Sequence, residues 1–330
     1  MRPHTRTIWM GALALGLAGT VCADVVLYAG QPTADTGIAL RNWGAGTIED
    51  STETSFTGNR SLKVLTRGAL SGGWIVFGTP VDLRADLNAP NKVMRFTLRF
   101  PTVASGAGSG VGFGTPPPPS APGGAPPLGG DRGVPPPREP SNPAGSGQTT
   151  PPPLRELRLI FETSEGKRTE AILPLQNLRT DESGWQSASL PLRAVSELRE
   201  TSGRIAKLGI FGDTAGVFYI GEIRTVSESG TLQGYIAVQN TYGSVFTSRS
   251  HERLTIATGD ELIFFGVTEG VTTPVEYRWS FGGDPAQVDG VSNAVRRRFP
   301  KRGTYTVHLT IADPYGNRPP ATAKIEIQVN

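Results

Sequence analysis

Residues Pro101 to Pro153 constrain this chain more than any other stretch, because 16 of these 53 residues are proline and 12 are glycine. Proline removes backbone donors and glycine loses the most entropy on ordering, so no packed core can form there. The flanks alternate instead. Met94, Phe96, Leu98 and Phe100 interleave with Arg95, Thr97 and Arg99 before the tract, and Leu157, Leu159 and Phe161 interleave with Arg158 and Glu162 after it. A period of two predicts half-buried strands on both sides. A cut between them would leave an N-terminal piece of about 77 residues with too few strands for a core of its own. The expectation is therefore one sandwich in which the two strands pair and the tract, residues 101–153, loops out as a disordered insertion. Loop-closure entropy grows only logarithmically with length, so such an insertion costs little.

Met1 to Ala23 reads as a secretory leader, with Arg2 and Arg6 before an apolar run from Ile8 to Val21 and a cleavage site at Val21-Cys22-Ala23. The run is short for a membrane span, which predicts no transmembrane segment in the mature chain. Cleavage before Asp24 would remove the only cysteine, leaving neither disulfide nor thiol chemistry. It would also lower the formal net charge from +3 to +1, since Arg2 and Arg6 leave with the leader. That balance gives no support for a nucleic-acid partner. The basic run Arg296, Arg297, Arg298, Lys301, Arg302 reads as a solvated strand end. The expected location is outside the cytoplasm: periplasmic, cell-surface or extracellular.

From Asp24 to Gly230, short strand-like runs are separated by polar turns: Val25–Tyr28, Ser61–Thr66, Gly73–Gly78, Met94–Phe100, Arg155–Thr163, Arg168–Leu175, Trp185–Leu192, Ile205–Phe211 and Val217–Arg224. Only Arg193 to Glu200 has a helical pattern. This is the signature of an all-β antiparallel sandwich. The stretch Gly58-Asn59-Arg60-Ser61-Leu62-Lys63-Val64, the stretch Gly184-Trp185-Gln186 leading to Leu190-Pro191-Leu192, and Phe218-Tyr219-Ile220-Gly221-Glu222-Ile223 resemble the jelly-roll, galactose-binding-like domains found among bacterial carbohydrate-binding modules. The resemblance implies a jelly-roll fold and a polysaccharide or envelope-glycan partner. Such families often carry an acidic residue where Gly221 stands, beside Glu222, and can hold calcium with it. Gly221 removes that support, so no cofactor is expected and structural calcium is unsupported.

From about Thr231 a second all-β unit is expected. Tyr277, Trp279 and Phe281 share one strand face; Tyr305, Val307, Leu309 and Ile311 a second; Ala323, Ile325, Ile327 and Val329 a third. The run from Phe299 through Gly303-Thr304-Tyr305-Thr306-Val307 to Asp313-Pro314-Tyr315-Gly316 resembles the PKD family of immunoglobulin-like domains. Gly303 permits the turn before the strand, and the Tyr305 hydroxyl is placed to close a corner. Ser280 stands where the family usually has aspartate, so any role tied to that aspartate does not carry over. The domain reading is thus a leader over 1–23, a jelly-roll carbohydrate-binding-like unit over 24–230 and a PKD-like unit over 231–330.

The chemistry-bearing residues are few. His251 and His308 lack a second ligand at metal spacing and read as surface histidines, which predicts no metal site. There is no serine elbow of the Gly-x-Ser-x-Gly type. Glu162 and Glu170 could face each other across the Ser164–Lys167 turn, as a glycosidase pair requires, but exposed strand carboxylates are the ordinary explanation for both. The glycines from Gly106 to Gly114 lack the strand-to-helix context of a phosphate loop. Sugar binding needs exposed rings, because pyranose C–H faces stack on them. Trp43, in the polar loop Arg41-Asn42-Trp43-Gly44, is the first candidate and Trp74 the second; Trp74, Trp185 and Trp279 also suit a core. The expectation is a non-catalytic exported glycan binder with no catalytic residues, the second unit serving as spacer or protein contact. The alternatives are a structural envelope or surface-layer protein with envelope-protein partners and, more distantly, a glycoside-active enzyme.

Overall fold

The computed structural model describes residues 24–101, 154–175, 178 and 180–330. The expected leader and the expected disordered insertion, apart from Pro101, lie outside the described residues. The strands β1 (Val26–Tyr28), β2 (Ile38–Trp43), β3 (Thr47–Ser51), β4 (Ser61–Arg67), β5 (Gly72–Asp82) and β6 (Lys92–Arg99) precede the proline tract. After it come β7 (Glu156–Thr163), β8 (Arg168–Pro174), β9 (Gln186–Pro191), β10 (Arg204–Gly212) and β11 (Ala215–Ser227). They form a jelly-roll sandwich of two sheets. One has the order β3-β4-β11-β6-β9 with β1 also on β11, the other the order β2-β5-β10-β7-β8. All the pairings are antiparallel.

The strands flanking the proline tract do not pair. β6 lies between β11 and β9 in one sheet, and β7 lies between β10 and β8 in the other. Phe96 and Leu98 from β6 nevertheless share a single buried cluster with Leu157, Leu159 and Phe161 from β7. Alternation reports which residues face a core; it does not report which strand lies alongside. The expected single core is present, built by facing sheets rather than by a hairpin.

The inward rows of that core are aliphatic and aromatic, with Leu62, Val64, Phe96, Phe218 and Ile220 on one sheet and Ile75, Leu159, Phe161, Leu208 and Ile210 on the other. A short helix, α1 (Arg84–Asn88), and a 3₁₀ segment at Leu192–Glu200 cover one end. The helical pattern expected over Arg193–Glu200 thus forms, wound more tightly and with Val195 off helical geometry. One buried polar cluster is paired: Lys92, 2% exposed, holds Asp24 at 3.0 Å and Asp86 at 3.6 Å, and Asp86 accepts from the Thr225 hydroxyl at 2.6 Å.

A second, immunoglobulin-like sandwich follows, with β12 (Gln233–Gln239), β13 (Val245–Thr247), β14 (Arg253–Ile256), β15 (Glu261–Glu269), β16 (Glu276–Ser280), β17 (Ala294–Arg298), β18 (Gly303–Ala312) and β19 (Ala321–Val329). Its sheets run β13-β12-β15-β17 and β14-β19-β18-β16, and β14 is parallel to β19. Trp279, Phe264, Phe281 and Phe299 centre its core, with Leu309 and Ile327. The Tyr305 hydroxyl donates to the Lys301 carbonyl at 3.0 Å, forming the expected corner, while its ring packs on Phe299 at 5.1 Å. Ser280 donates to the Asp284 carbonyl at 2.5 Å, and Asp289 accepts from the Phe281 amide at 2.7 Å. Asp289 therefore ties down the backbone of the loop that follows the Ser280 strand.

The two sandwiches are clasped together. The Ser189 amide on the free edge of β9 donates to the Thr272 carbonyl at 2.9 Å, and their hydroxyls meet at 2.6 Å. Glu228 accepts from both the amide and the hydroxyl of Thr272 at 3.0 Å and forms an ion pair with Arg318, both side chains 7% exposed. Among the described residues no helix is long and apolar enough to cross a membrane.

Candidate functional site

The outer face of the five-stranded sheet is the candidate binding face. Its register lays three rows across the strands. The first row is Trp43, Gly72, Phe211, Arg158 and Ile172; the second is Arg41, Trp74, Gly209, Ile160 and Glu170; the third is Ala39, Val76, Lys207, Glu162 and Arg168. Residues directly opposite one another share a face, so the rows follow from the pairings.

Trp43 is not in a loop. It is the last residue of β2, an edge strand, and its ring is 54% exposed. Trp74 is 8% exposed, as a core residue would be, yet it lies outside the main buried cluster because it points to the outer face while Ile75 points inward. Trp43 stands edge-on to Trp74, with centroids 6.4 Å apart and planes at 84°, and Trp74 meets Phe211 at 5.7 Å and 78°. Edge-to-face contacts of this kind fix ring orientation. Gly209 makes the arrangement possible: a Cβ there would lie 2.6 Å from the Phe211 ring and 3.1 Å from Trp74. The two rings thus close over a bare stretch of β10 and form a floor beneath Trp43. Beside this edge, Leu70 is 47% exposed and is the one non-glycine residue with positive φ among the described residues, at 64°. Its carbonyl lies 3.3 Å from where a Gly44 Cβ would stand. Backbone strain of this kind is retained where surrounding structure enforces it.

Charges frame the floor. The Arg168 guanidinium sits 5.7 Å over the Trp74 ring and donates to Glu162 at 2.8 Å. Lys207 donates to the other Glu162 oxygen at 2.5 Å, and Arg158 pairs with Glu170. The expected facing of Glu162 and Glu170 does not occur, since Glu162 is opposite Arg168 and Glu170 opposite Ile160. Burial pulls the Glu162 carboxyl up, but the hydrogen bonds and charges of Lys207 and Arg168 outweigh it and hold the group below its ordinary value of 4.5. A glycosidase general acid needs the opposite shift.

The sign of that shift sets a pH dependence. A carboxylate depressed on folding stabilises fully above its unfolded pKa and loses that contribution as pH falls through the lower folded value. Wild type should therefore melt above Glu162→Gln at pH 6, and the gap should close as pH drops below about 4. Thermal melts of both proteins from pH 6 to 3 check this, and a gap undiminished at pH 3 would contradict the ion-pair cluster.

The other candidates are placed elsewhere. His251 is exposed with its ring on Phe246 at 5.5 Å, and His308 is half-buried on β18. No group of three or more potential metal ligands occurs among the described residues. Gly221 is roofed by other side chains, since a Cβ there would lie 2.3 Å from Phe56 and 2.9 Å from the Trp185 ring. A carboxylate has no room at that position, and Glu222 is engaged by Arg224 at 3.3 Å, so the residues present do not fit the calcium site of the resembled families. Trp185 is buried beneath Phe56, and Trp279 lies in the second core. In the basic run, Arg297 covers the Phe281 ring at 5.3 Å and Arg298 donates to the Gly259 carbonyl at 2.9 Å.

Sequence reasoning missed β2 and β3 and, with them, Arg41, Lys207, Arg168 and Phe211 as members of one face. The alternation Ala39, Arg41, Trp43 was the available signal, muted because an edge strand exposes most of its residues.

Comparison with known proteins bears chiefly on the second sandwich. Residues 250–329 match the family model of the PKD domain. The PKD-matching stretch covers β14 to β19, including the Tyr305 corner. Among solved structures, the family 30 carbohydrate-binding module of the cellulosomal cellulase Cel9D-Cel44B of Clostridium thermocellum is similar over 63% of this chain and 100% of that one, at 12% identity and a TM-score of 0.35. The CBM22-1 xylan-binding domain of Paenibacillus barcinonensis Xyn10C is similar over 62% of this chain and 92% of that one, at 12% identity and a TM-score of 0.29. The tandem CBM22-1-CBM22-2 domain of the same protein spans 93% of this chain and 84% of that one, at 10% identity and a TM-score of 0.28. These likenesses are weak in sequence and superposition, and the strands and register above define the fold without them. No curated protein matches the chain.

Proposed function

We propose that this is an exported, non-catalytic glycan-binding protein whose binding face is the outer surface of the five-stranded sheet, centred on Trp43. The unit of residues 24–230 carries the ligand, and the unit of 231–330 acts as a spacer held at a fixed angle by the Glu228–Arg318 clasp. The observation that carries this reading is the exposed Trp43 ring, standing against a buried aromatic floor. Water gains little from so large an apolar face, and a pyranose ring laid on it exchanges poor hydration for C–H contact. The neighbouring charged groups supply orientation. Trp74 acts as support for Trp43 and not as a stacking surface, because its own ring is covered.

Retention of the mature protein on insoluble polysaccharides and on a glycan array tests the proposal. Wild type should be retained on at least one of them, and Trp43→Ala should weaken that binding about tenfold or more with an unchanged melting temperature. Retention on none, or equal retention of the variant, would overturn it.

A further inference from the structure

Within its three rows the candidate face carries more cations than anions. Arg41, Arg158, Arg168 and Lys207 project from its three rows against two carboxylates, Glu162 and Glu170. Both carboxylates are already engaged: Glu170 by Arg158, and Glu162 by Lys207 and Arg168 together. One positive charge is therefore in excess on Glu162. Arg41 is exposed and joins no ion pair among the described residues.

Position gives that surplus a meaning. Arg41 and Trp43 lie on the same face of β2, two residues apart, which is roughly 6.6–6.8 Å along a strand. An extended arginine reaches a substituent on the sugar that stacks on Trp43, or on the next sugar along. Its planar fork matches a carboxylate with two parallel hydrogen bonds, which an uncharged hydroxyl cannot reciprocate. An arginine also donates to neutral hydroxyls, but only a carboxylate answers its fork with two charge-assisted hydrogen bonds.

We infer that the glycan taken by this face bears carboxylates, as uronic acid units do, and that Arg41 reads them while Trp43 holds the ring. This deepens the proposed function and rests on it. The ligand class is an acidic polysaccharide, and Arg41 is its specificity-determining residue.

Affinity electrophoresis and calorimetry of the mature protein against polygalacturonate, alginate and hyaluronan, and against the same polymers with their carboxyls reduced to alcohols, separate the two levels. At least one polyuronate should bind about tenfold or more tightly than its reduced form. Arg41→Gln should abolish that preference, bringing the affinity for the polyuronate down to that for its reduced form, while Trp43→Ala should weaken binding of both. Arg41 is exposed and joins no ion pair among the described residues, so its replacement should leave the melting temperature unmoved. If a glycan is bound in a Trp43-dependent way but charged and reduced forms bind alike, the carboxylate inference fails and the glycan reading stands. Tighter binding to dextran sulfate than to any polyuronate would overturn the carboxylate assignment. If no polymer is bound, both fall.

Discussion

Replacing Arg318 with alanine should cost about 3–5 kcal/mol, the loss typical of breaking a buried ion pair by removing one member. The reason is the surroundings of Glu228. Its side chain is 7% exposed and would be left beside the Thr272 donors without its cation. The loss should appear in calorimetry as a lower and split transition, because the clasp couples the two sandwiches and its removal lets them melt separately. The double variant Glu228→Gln with Arg318→Met should regain most of the loss, since glutamine still accepts from Thr272 and no charge is left buried. A single Arg318→Ala transition at the wild-type temperature would show that the interface contributes little.

Replacing Trp74 with alanine should have a comparable effect for a different reason. The ring is almost fully covered by Trp43, Phe211 and Arg168, and truncating a buried tryptophan costs about 3–5 kcal/mol through lost burial and the cavity that remains. Urea unfolding should show this as a fall in midpoint without a change in slope. Binding should fall as well, because the Trp43 ring loses the edge it stands against. Trp43→Ala should do the reverse, with little change in stability and a large loss of binding. That contrast separates a supporting ring from a stacking one. A Trp74→Ala protein as stable as wild type would mean that Phe211 and Trp43 close over the gap.

The fold was legible in the sequence where local pattern decides it. Period-two runs located most strands to within a few residues, and the Tyr305 corner could be read because Lys301, Gly303 and Tyr305 form one contiguous motif. Partnership was harder, since alternation assigns a face and says nothing about which strand lies next to it; β6 and β7 went to opposite sheets on that account. Trp74 shows a related limit. Gly72, Gly73, Trp74 and Ile75 are all buried, so no polar residue in the run marks which side looks outward. Trp43 was legible as a candidate and not as a strand residue, because the outward positions of β2 are Ala39, Arg41 and Trp43, which read as loop. The charge balance of the face could not be seen at all until the register brought β2, β7, β8 and β10 side by side.

The placement of β6 and β7 in separate sheets also bears on how this gene can change. In a hairpin, the number of residues between two strands helps fix which residue lies opposite which, so gaining or losing one turns side chains over. Here β6 takes its alignment from β9 and β11, and β7 takes its own from β8 and β10. Codons added to or deleted from the span between Pro101 and Leu154 leave every ladder where it was, which makes that span the natural place for lineages to diverge in length while the scaffold on either side stays constant.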